Sequence, residues 1–251
     1  MKNVPVKSVQ KALRLLDRIA LGDPARQGVS LSVLAEEFGW PLNSTHNLLK
    51  TLVACGYLAQ RTRGVYVAGP KCRQLRTVAQ CADPDSMERI MAKLQEFVDI
   101  ENEPIVCSVL AEGRRLVVAA VESTHAVRIS HATYEDTAFF SKVTGRMLAA
   151  TADPAELEEI LEHHGLPGVH WDNIDSRPKL NQALAKLRQQ GGCEMEDIPQ
   201  QVVALAVPVP GRDGHAWGVL GTYAPAFRCP ASRRTKLRRA LQRVARELAI
   251  F

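Results

Sequence analysis

The first 68 residues constrain the fold most: three short amphipathic segments follow one another closely, and two β-prone stretches then flank a basic turn. "VKSVQKALRLLDRIALG" sets Val9, Ala12, Leu13, Leu16, Ile19 and Ala20 at helical spacing, with Lys11, Arg14 and Arg18 turned elsewhere, and Gly22 and Pro24 end the run. "SLSVLAEEFG" predicts a second helix with Ser30 as its N-cap. Leu31, Leu34, Ala35 and Phe38 are its apolar side, and Gly39 is its stop. Residues 40–42 separate it from a third helix. That helix is expected to start near Asn43 or Ser44, either of which can cap it, to bury Leu48, Leu49, Leu52 and Val53, and to close at Gly56. "YLAQRTRGVYVAG" then reads as strands over 57–60 and 65–68 around a turn at 61–64.

Helix, helix, tight turn, helix and hairpin in this order is the plan of a winged helix-turn-helix, whose third helix enters the major groove of DNA. Asn43, His46, Asn47 and Lys50 are spaced i, i+3, i+4 and i+7, so they form one stripe opposite the leucines, with Ser44 beside it. Asparagine can contact adenine with two hydrogen bonds, His46 can donate to a base or a phosphate, and Lys50 can neutralise a phosphate. Arg61 and Arg63 of the basic turn would reach a backbone or the minor groove. A polar stripe by itself describes any solvated helix face; its place in the motif and the surrounding charge point it at DNA.

The formal charge of +5 is unevenly spread. Residues 1–76 hold twelve Lys and Arg against four Asp and Glu; residues 77–227 hold twelve against twenty-two, and residues 228–251 eight against one. A basic head beside an acidic body suits a polyanion-binding module joined to a unit that must stay off polyanions. The basic tail has two readings. Arg233, Arg234, Lys236, Arg238, Arg239 and Arg243 either offset the acidic body, within the chain or across a subunit interface, or form a second nucleic-acid surface. Leu237, Leu241, Val244, Ala245 and Leu248 give the same segment a core-facing stripe.

Other function classes find little support. No apolar run nears the roughly 20 residues of a membrane span, and residues 1–8 lack a signal peptide's apolar stretch, so a cytoplasmic protein with no membrane partner is expected. The six cysteines lie nine or more residues apart without a CxxC pair, and reduced thiols are expected. No GxSxG, Walker A, HExxH or GxGxxG run is present, so neither a catalytic residue nor a cofactor is expected. "EHHGLPGVHWD" collects Glu162, His163, His164, His170 and Asp172, ligands enough on paper for zinc or iron. Paired histidines at a helix C-terminus already suit the dipole and solvent, and Gly-Leu-Pro-Gly reads as a turn, so no metal is expected.

The head, "SLSVLAEEFGWPLNSTHNLLKTLVACGYLAQRTRGVYVAGPK", resembles the winged-helix signature of the IclR family of bacterial transcription regulators almost position by position. The resemblance continues through "RLVVAAVES", "VRIS", "TGRMLAA" and "VPVPGRDGHAWGVLG". It implies a repressor or activator that binds a pseudo-palindromic operator as a homodimer or a dimer of dimers. Asn47 departs from it, standing where the family commonly has arginine. The resemblance also implies a GAF-like body that binds a small organic effector, carboxylic or aromatic. Positions matching the family's pocket are Ser141, Thr144, Glu196, Ala204, Gly221 and Tyr223; a cysteine and two serines common there are Ala204, Gly221 and Tyr223 here, a change toward a larger or more aromatic ligand or a lost acid site. Tyr223 also reads as a core aromatic with its hydroxyl at the surface.

Between head and body, Pro70 can open a helix carrying Leu75, Val78 and Ala79, interrupted at Asp83-Pro84, and a further helix over about 86–100 has Ile90, Leu94, Phe97 and Val98 on one side. Leu75 and Val78 either pair with a second copy or pack on the body. In the body, "PIVCSVLAEGRRLVVAAVE" reads as a hairpin turning at 112–113, "AVRISH" as a third strand, "SKVTGRMLAAT" and "PAELEEILEHH" as helices with another at 177–190, and "VVALAVPV" with "WGVLGTYA" as a second hairpin. A helix over about 231–250 ends the chain. The expected class is α+β: a winged helix-turn-helix domain at 1–69, a linker helix at 70–84, and a GAF-like α/β effector and oligomerisation domain at 85–251. The rival is a metabolite-binding protein or enzyme whose first domain mediates protein contacts.

Overall fold

The computed structural model describes residues 5–22, 27–62, 64–126, 139–211 and 214–249, apart from the side chains of Arg76 and Gln80. The chain divides into two compact units, Met1–Arg76 and Thr77–Phe251.

The first unit holds α1 (Lys7–Ala20), β1 (Val29–Ser30), α2 (Leu31–Phe38), α3 (Leu42–Ala54), β2 (Leu58–Thr62) and β3 (Val65–Ala68). The strands form a three-stranded antiparallel sheet in the order β1-β3-β2, and β1 escaped the sequence reading because two residues carry no alternation. Ser30 caps α2, its hydroxyl accepting the Val33 amide at 3.3 Å, and Gly39 ends that helix in the left-handed region at φ 65°. Leu15, Ile19, Leu34, Leu49, Leu52, Leu58 and Tyr66 fill the core.

Two expectations change here. In α1 the buried stripe runs through Leu15 and Ile19 with Ala12 and Leu16 partly covered, whereas Val9 and Leu13 are 54% and 52% exposed. The crowded "LRLL" offers two overlapping helical stripes, and packing selects the one centred on Ile19. The third helix begins at Leu42 with Pro41 in the N-cap position, so neither Asn43 nor Ser44 caps it. Proline's fixed φ holds the chain extended there, and its carbonyl takes both the amide and the hydroxyl of Thr45 (3.1 and 3.2 Å). Leu48 and Val53 are only partly buried; Thr45 is buried in their stead.

The boundary between the units falls inside α4 (Pro70–Ala82). The second unit continues with α5 (Pro84–Glu101), whose N-cap Asp83 accepts the Ser86 amide at 3.0 Å. Next come β4 (Ile105–Ala111), β5 (Arg114–Val121), a 3-10 turn (Phe139–Ser141), α6 (Val143–Thr151), α7 (Pro154–His164), α8 (Arg177–Gln190), β6 (Cys193–Asp197), β7 (Val202–Pro210), β8 (Ala216–Pro225) and α9 (Ala231–Glu247). The five strands form one antiparallel sheet in the order β5-β4-β8-β7-β6. The strand expected at "AVRISH" falls largely outside the described residues. β6 was missed because "CEMED" reads as polar, whereas an edge strand needs only one apolar side.

The two sides of this sheet differ in bulk. Val203, Leu205 and Val207 of β7 pack with α5 and α9 around Phe97, Leu94 and Leu241, while Ala204 and Ala206 face Met147 and Leu148 of α6 and, beyond them, α7 and α8. Strand alternation thus assigns the large residues to one layer and the small ones to the other. The small side lets α6 lie close: a Cβ added at Gly221 would come 2.5 Å from Thr144 Cγ2.

Candidate nucleic-acid interface

Helix α3 is held from behind and bare in front. Leu49 and Leu52 anchor it in the core with Leu15, Ile19 and Leu34. Asn43, Ser44, His46, Asn47 and Lys50 are all exposed, as the sequence spacing requires of one face. The side chains of Asn43, His46, Asn47 and Lys50 make no hydrogen bond or ion pair with the described residues. Thr51, one turn beyond Asn47, shares this face; its hydroxyl donates to the Asn47 carbonyl at 2.9 Å. Sequence reading passed over Thr51, although its spacing of four from Asn47 was the available signal.

The approach to α3 is braced. Phe38 and Trp40 stack at 4.6 Å across the turn between α2 and α3, Arg14 lies 4.8 Å from the Phe38 ring, and Lys11 lies 5.0 Å from the Trp40 ring. Arg18 donates through Nε to both Glu37 oxygens at 2.9 Å. Cations of α1 therefore clamp the turn that sets the angle of α3. Farther on, a bulge between Gln60 and Thr62 falls at Arg61, which is exposed; Arg63 lies outside the described residues. A bulge re-aims the side chain it carries. The Leu31 amide donates to the Gly64 carbonyl at 3.0 Å, tying the hairpin to the start of α2.

In the second unit the positions matched to a family pocket separate. Ala204 pairs with Tyr223 and Ala206 with Gly221 across β7 and β8, and Thr144 contacts Gly221, so Thr144, Ala204, Gly221 and Tyr223 share the α6 side of the sheet. Glu196 does not join them. Its strand neighbour Met195 packs on the α6 side, so Glu196 faces the other way, where Arg234 of α9 lies 2.8 Å from its carboxylate. Ser141 sits on the 3-10 turn with its hydroxyl 3.0 Å from His170 Nδ1. A residue the sequence did not single out lies on the same sheet side: Ser108 of β4, opposite Val219, fully buried with its hydroxyl lacking a partner among the described residues. A serine inside the apolar run "VCSVL" was the signal.

The basic tail is bound internally. Arg233 donates to the Glu101 carboxylate at 2.5 Å, and Arg238 to that of Glu194 at 2.6 Å. Arg228, just before α9, holds Glu103 with two hydrogen bonds at 2.8 and 3.0 Å. The first reading of the tail, an offset to the acidic body within the chain, holds for these residues. All six cysteines are free, and burial pushes the thiols of Cys81 and Cys193 up to about 11, which leaves them poor nucleophiles. No group of three or more His, Cys, Asp or Glu among the described residues is arranged to hold a metal ion, and no described helix is long and apolar enough to cross a membrane.

Comparison with known proteins agrees with this architecture. The family model of the IclR helix-turn-helix domain matches residues 8–62, and that of the bacterial transcriptional regulator IclR C-terminal domain matches residues 75–250. The chain belongs to the IclR family. Members of the IclR family are DNA-binding transcription regulators, not enzymes, and DNA is the partner of the first unit. The HTH-type transcriptional regulator KdgR of Dickeya chrysanthemi is 25% identical over 232 residues, 89% of this chain and 72% of that protein. The transcriptional repressor IclR of Escherichia coli strain K12 is 22% identical, covering 74% of this chain and 68% of the repressor. The crystal structure of the Thermotoga maritima IclR shares the fold, with a TM-score of 0.57 at 17% identity over 97% of each chain.

Proposed function

We propose that this IclR-family chain is a ligand-responsive, sequence-specific regulator that reads a pseudo-palindromic operator as a homo-oligomer in the bacterial cytoplasm. The observation that carries the reading is the exposed stripe Asn43, His46, Asn47 and Lys50, whose polar groups have no partner among the described residues. Unpaired amides on a braced helix are what direct readout uses, and each good bidentate pair discriminates by about 1–3 kcal/mol. Asn43 and Asn47 read base edges, His46 a base or phosphate, and Ser44 and Lys50 the backbone; Arg61 and Arg63 would reach a backbone or the minor groove. The domain plan of a head at 1–69, a linker helix at 70–84 and an effector and oligomerisation domain at 85–251 goes with this reading.

Self-association is supported by apolar surface left uncovered in single copies: Val6 just before α1, Val9 and Leu13 on it, and Leu75 on α4, are each more than half exposed. Two heads related by a twofold axis would meet two half-sites one helical turn apart or a multiple of it. Repression is the favoured sign because the Escherichia coli relative is a repressor. The effector reading rests on the α6 side of the sheet, where Thr144, Ala204, Gly221 and Tyr223 converge near the unpartnered Ser108 hydroxyl. A small organic acid with an aromatic part would use that hydroxyl and the Tyr223 ring.

An electrophoretic shift with genomic fragments tests the DNA reading: a subset of fragments should be retained, and the complexes should dissolve on the order of 0.5 M salt. Retention of no fragment even at low salt would remove it in favour of a protein-contact module. A thermal-shift series with carboxylic and aromatic acids tests the effector, because a ligand at a hundred times its Kd raises stability by about 2.7 kcal/mol. A series that leaves Tm unmoved argues for a regulator without an effector.

A further inference from the structure

A cavity in the unit Thr77–Phe251, of about 270 Å3, opens where the 3-10 turn, the C-terminal end of α7 and the loop after it meet. No strand residue lines it, and it shares no residue with Thr144, Ala204, Gly221 and Tyr223, although Phe139 and Phe140 pack in the same cluster as α6. Its apolar walls are Phe139 and Phe140, set edge to face at 5.0 Å, with Leu166 and Pro167. Arg146 fixes its shape from behind, donating to the carbonyls of Phe140 and His170 at 2.7 Å each while lying 5.0 Å from the Trp171 ring. The lining contains no Asp, Glu, Lys or Arg; its ionisable groups are His163, His164 and His170.

Hydrogen bonds decide how these imidazoles present themselves. His163 Nδ1 lies 2.9 Å from the Glu159 carbonyl, and His164 Nε2 lies 3.1 Å from that of Gly113. A carbonyl only accepts, so each of those nitrogens carries the proton. In a neutral imidazole the second nitrogen is then an acceptor, and His163 Nε2 has no partner among the described residues. His164 instead serves as a wall, stacked on Phe139 at 4.8 Å.

We infer that this cavity binds a small neutral phenol, its ring against Phe139, Phe140 and Leu166 and its hydroxyl donated to His163 Nε2. At His163 a carboxylate is the wrong partner: its oxygens would meet a lone pair where they need a donor, and Arg146 behind the wall already donates to the Phe140 and His170 carbonyls. The size agrees, because the cavity lies just below the roughly 300–1,000 Å3 of drug-sized sites and suits one ring. The inference does not depend on the effector site proposed above, since no residue is shared.

Calorimetric titration of the full chain with phenol and with benzoate, at about pH 8 where imidazole is ordinarily neutral, tests it. Phenol should bind at least about tenfold tighter than benzoate, and His163→Phe, which keeps a ring but removes the acceptor, should weaken phenol about tenfold, the worth of one hydrogen bond. Carbon-13 spectra of the histidine rings give a readout that needs no variant: phenol should move the His163 and His170 signals of the unaltered protein. Benzoate binding as tightly as phenol, phenol affinity untouched in a folded His163→Phe variant, or ring signals that stay in place would each overturn the proposal.

Discussion

Helices α3 and α9 are both rich in polar groups, and they use them in opposite ways. α9 carries several arginines, yet Arg233, Arg234 and Arg238 are held by Glu101, Glu194 and Glu196 of their own unit. α3 carries a single lysine and two asparagines facing solvent, none held by the described residues. Counting cations would rank α9 as the nucleic-acid surface; asking which groups lack a partner ranks α3. Local charge density thus says less about binding than the state of each group's hydrogen bonds, because a cation already paired gives up that pairing when it meets a phosphate.

The comparison can be broken most visibly at the ion pairs. Arg228→Met leaves Glu103, whose side chain is 1% exposed, as an uncompensated buried charge, and should cost about 3–5 kcal/mol in urea denaturation while the folded protein binds DNA as before. On the other side, Leu49→Ala opens a hole beneath α3 and should cost about 2–5 kcal/mol, with DNA affinity falling alongside head stability. Asn43→Ala or Asn47→Ala should lower operator affinity by about 1–3 kcal/mol and leave random DNA nearly unaffected. Equal losses on both would take those asparagines off the base edges. Lys50→Ala should weaken every sequence alike and reduce the salt slope by about 1. Smallest of all, Arg238→Ala should cost no more than about 1 kcal/mol of stability and leave the salt slope unchanged; a shallower slope would put α9 on the DNA after all.

What the sequence disclosed follows from periodicity. The order of elements in the head, Ser30 and Gly39 as the ends of α2, and the spacing of the α3 stripe are local patterns, and the structure repeats them. Tertiary choices were hidden. Which of two overlapping stripes of α1 is buried depends on where α3 lies, and Pro41 rather than a polar residue occupies the N-cap because the chain enters α3 extended. In the body, residue-by-residue matching put Glu196 with Thr144 and Gly221, but strand parity sends it to the opposite side of the sheet, and parity becomes readable only once the register with β7 is known. Ser108 itself was visible as a serine inside an apolar run, but its lack of a partner was not, since an absent hydrogen bond leaves no trace in a sequence.

The contact between Thr144 and Gly221 makes those positions answer for one another. With 2.5 Å between the methyl and any added carbon, Gly221→Ser alone must turn the Thr144 side chain or shift α6, whereas Gly221→Ser together with Thr144→Ala exchanges volume across the gap. Their effects should therefore be non-additive, the double replacement costing less than the sum of the singles. Any attempt to re-tailor this side of the sheet has to move in two-residue steps.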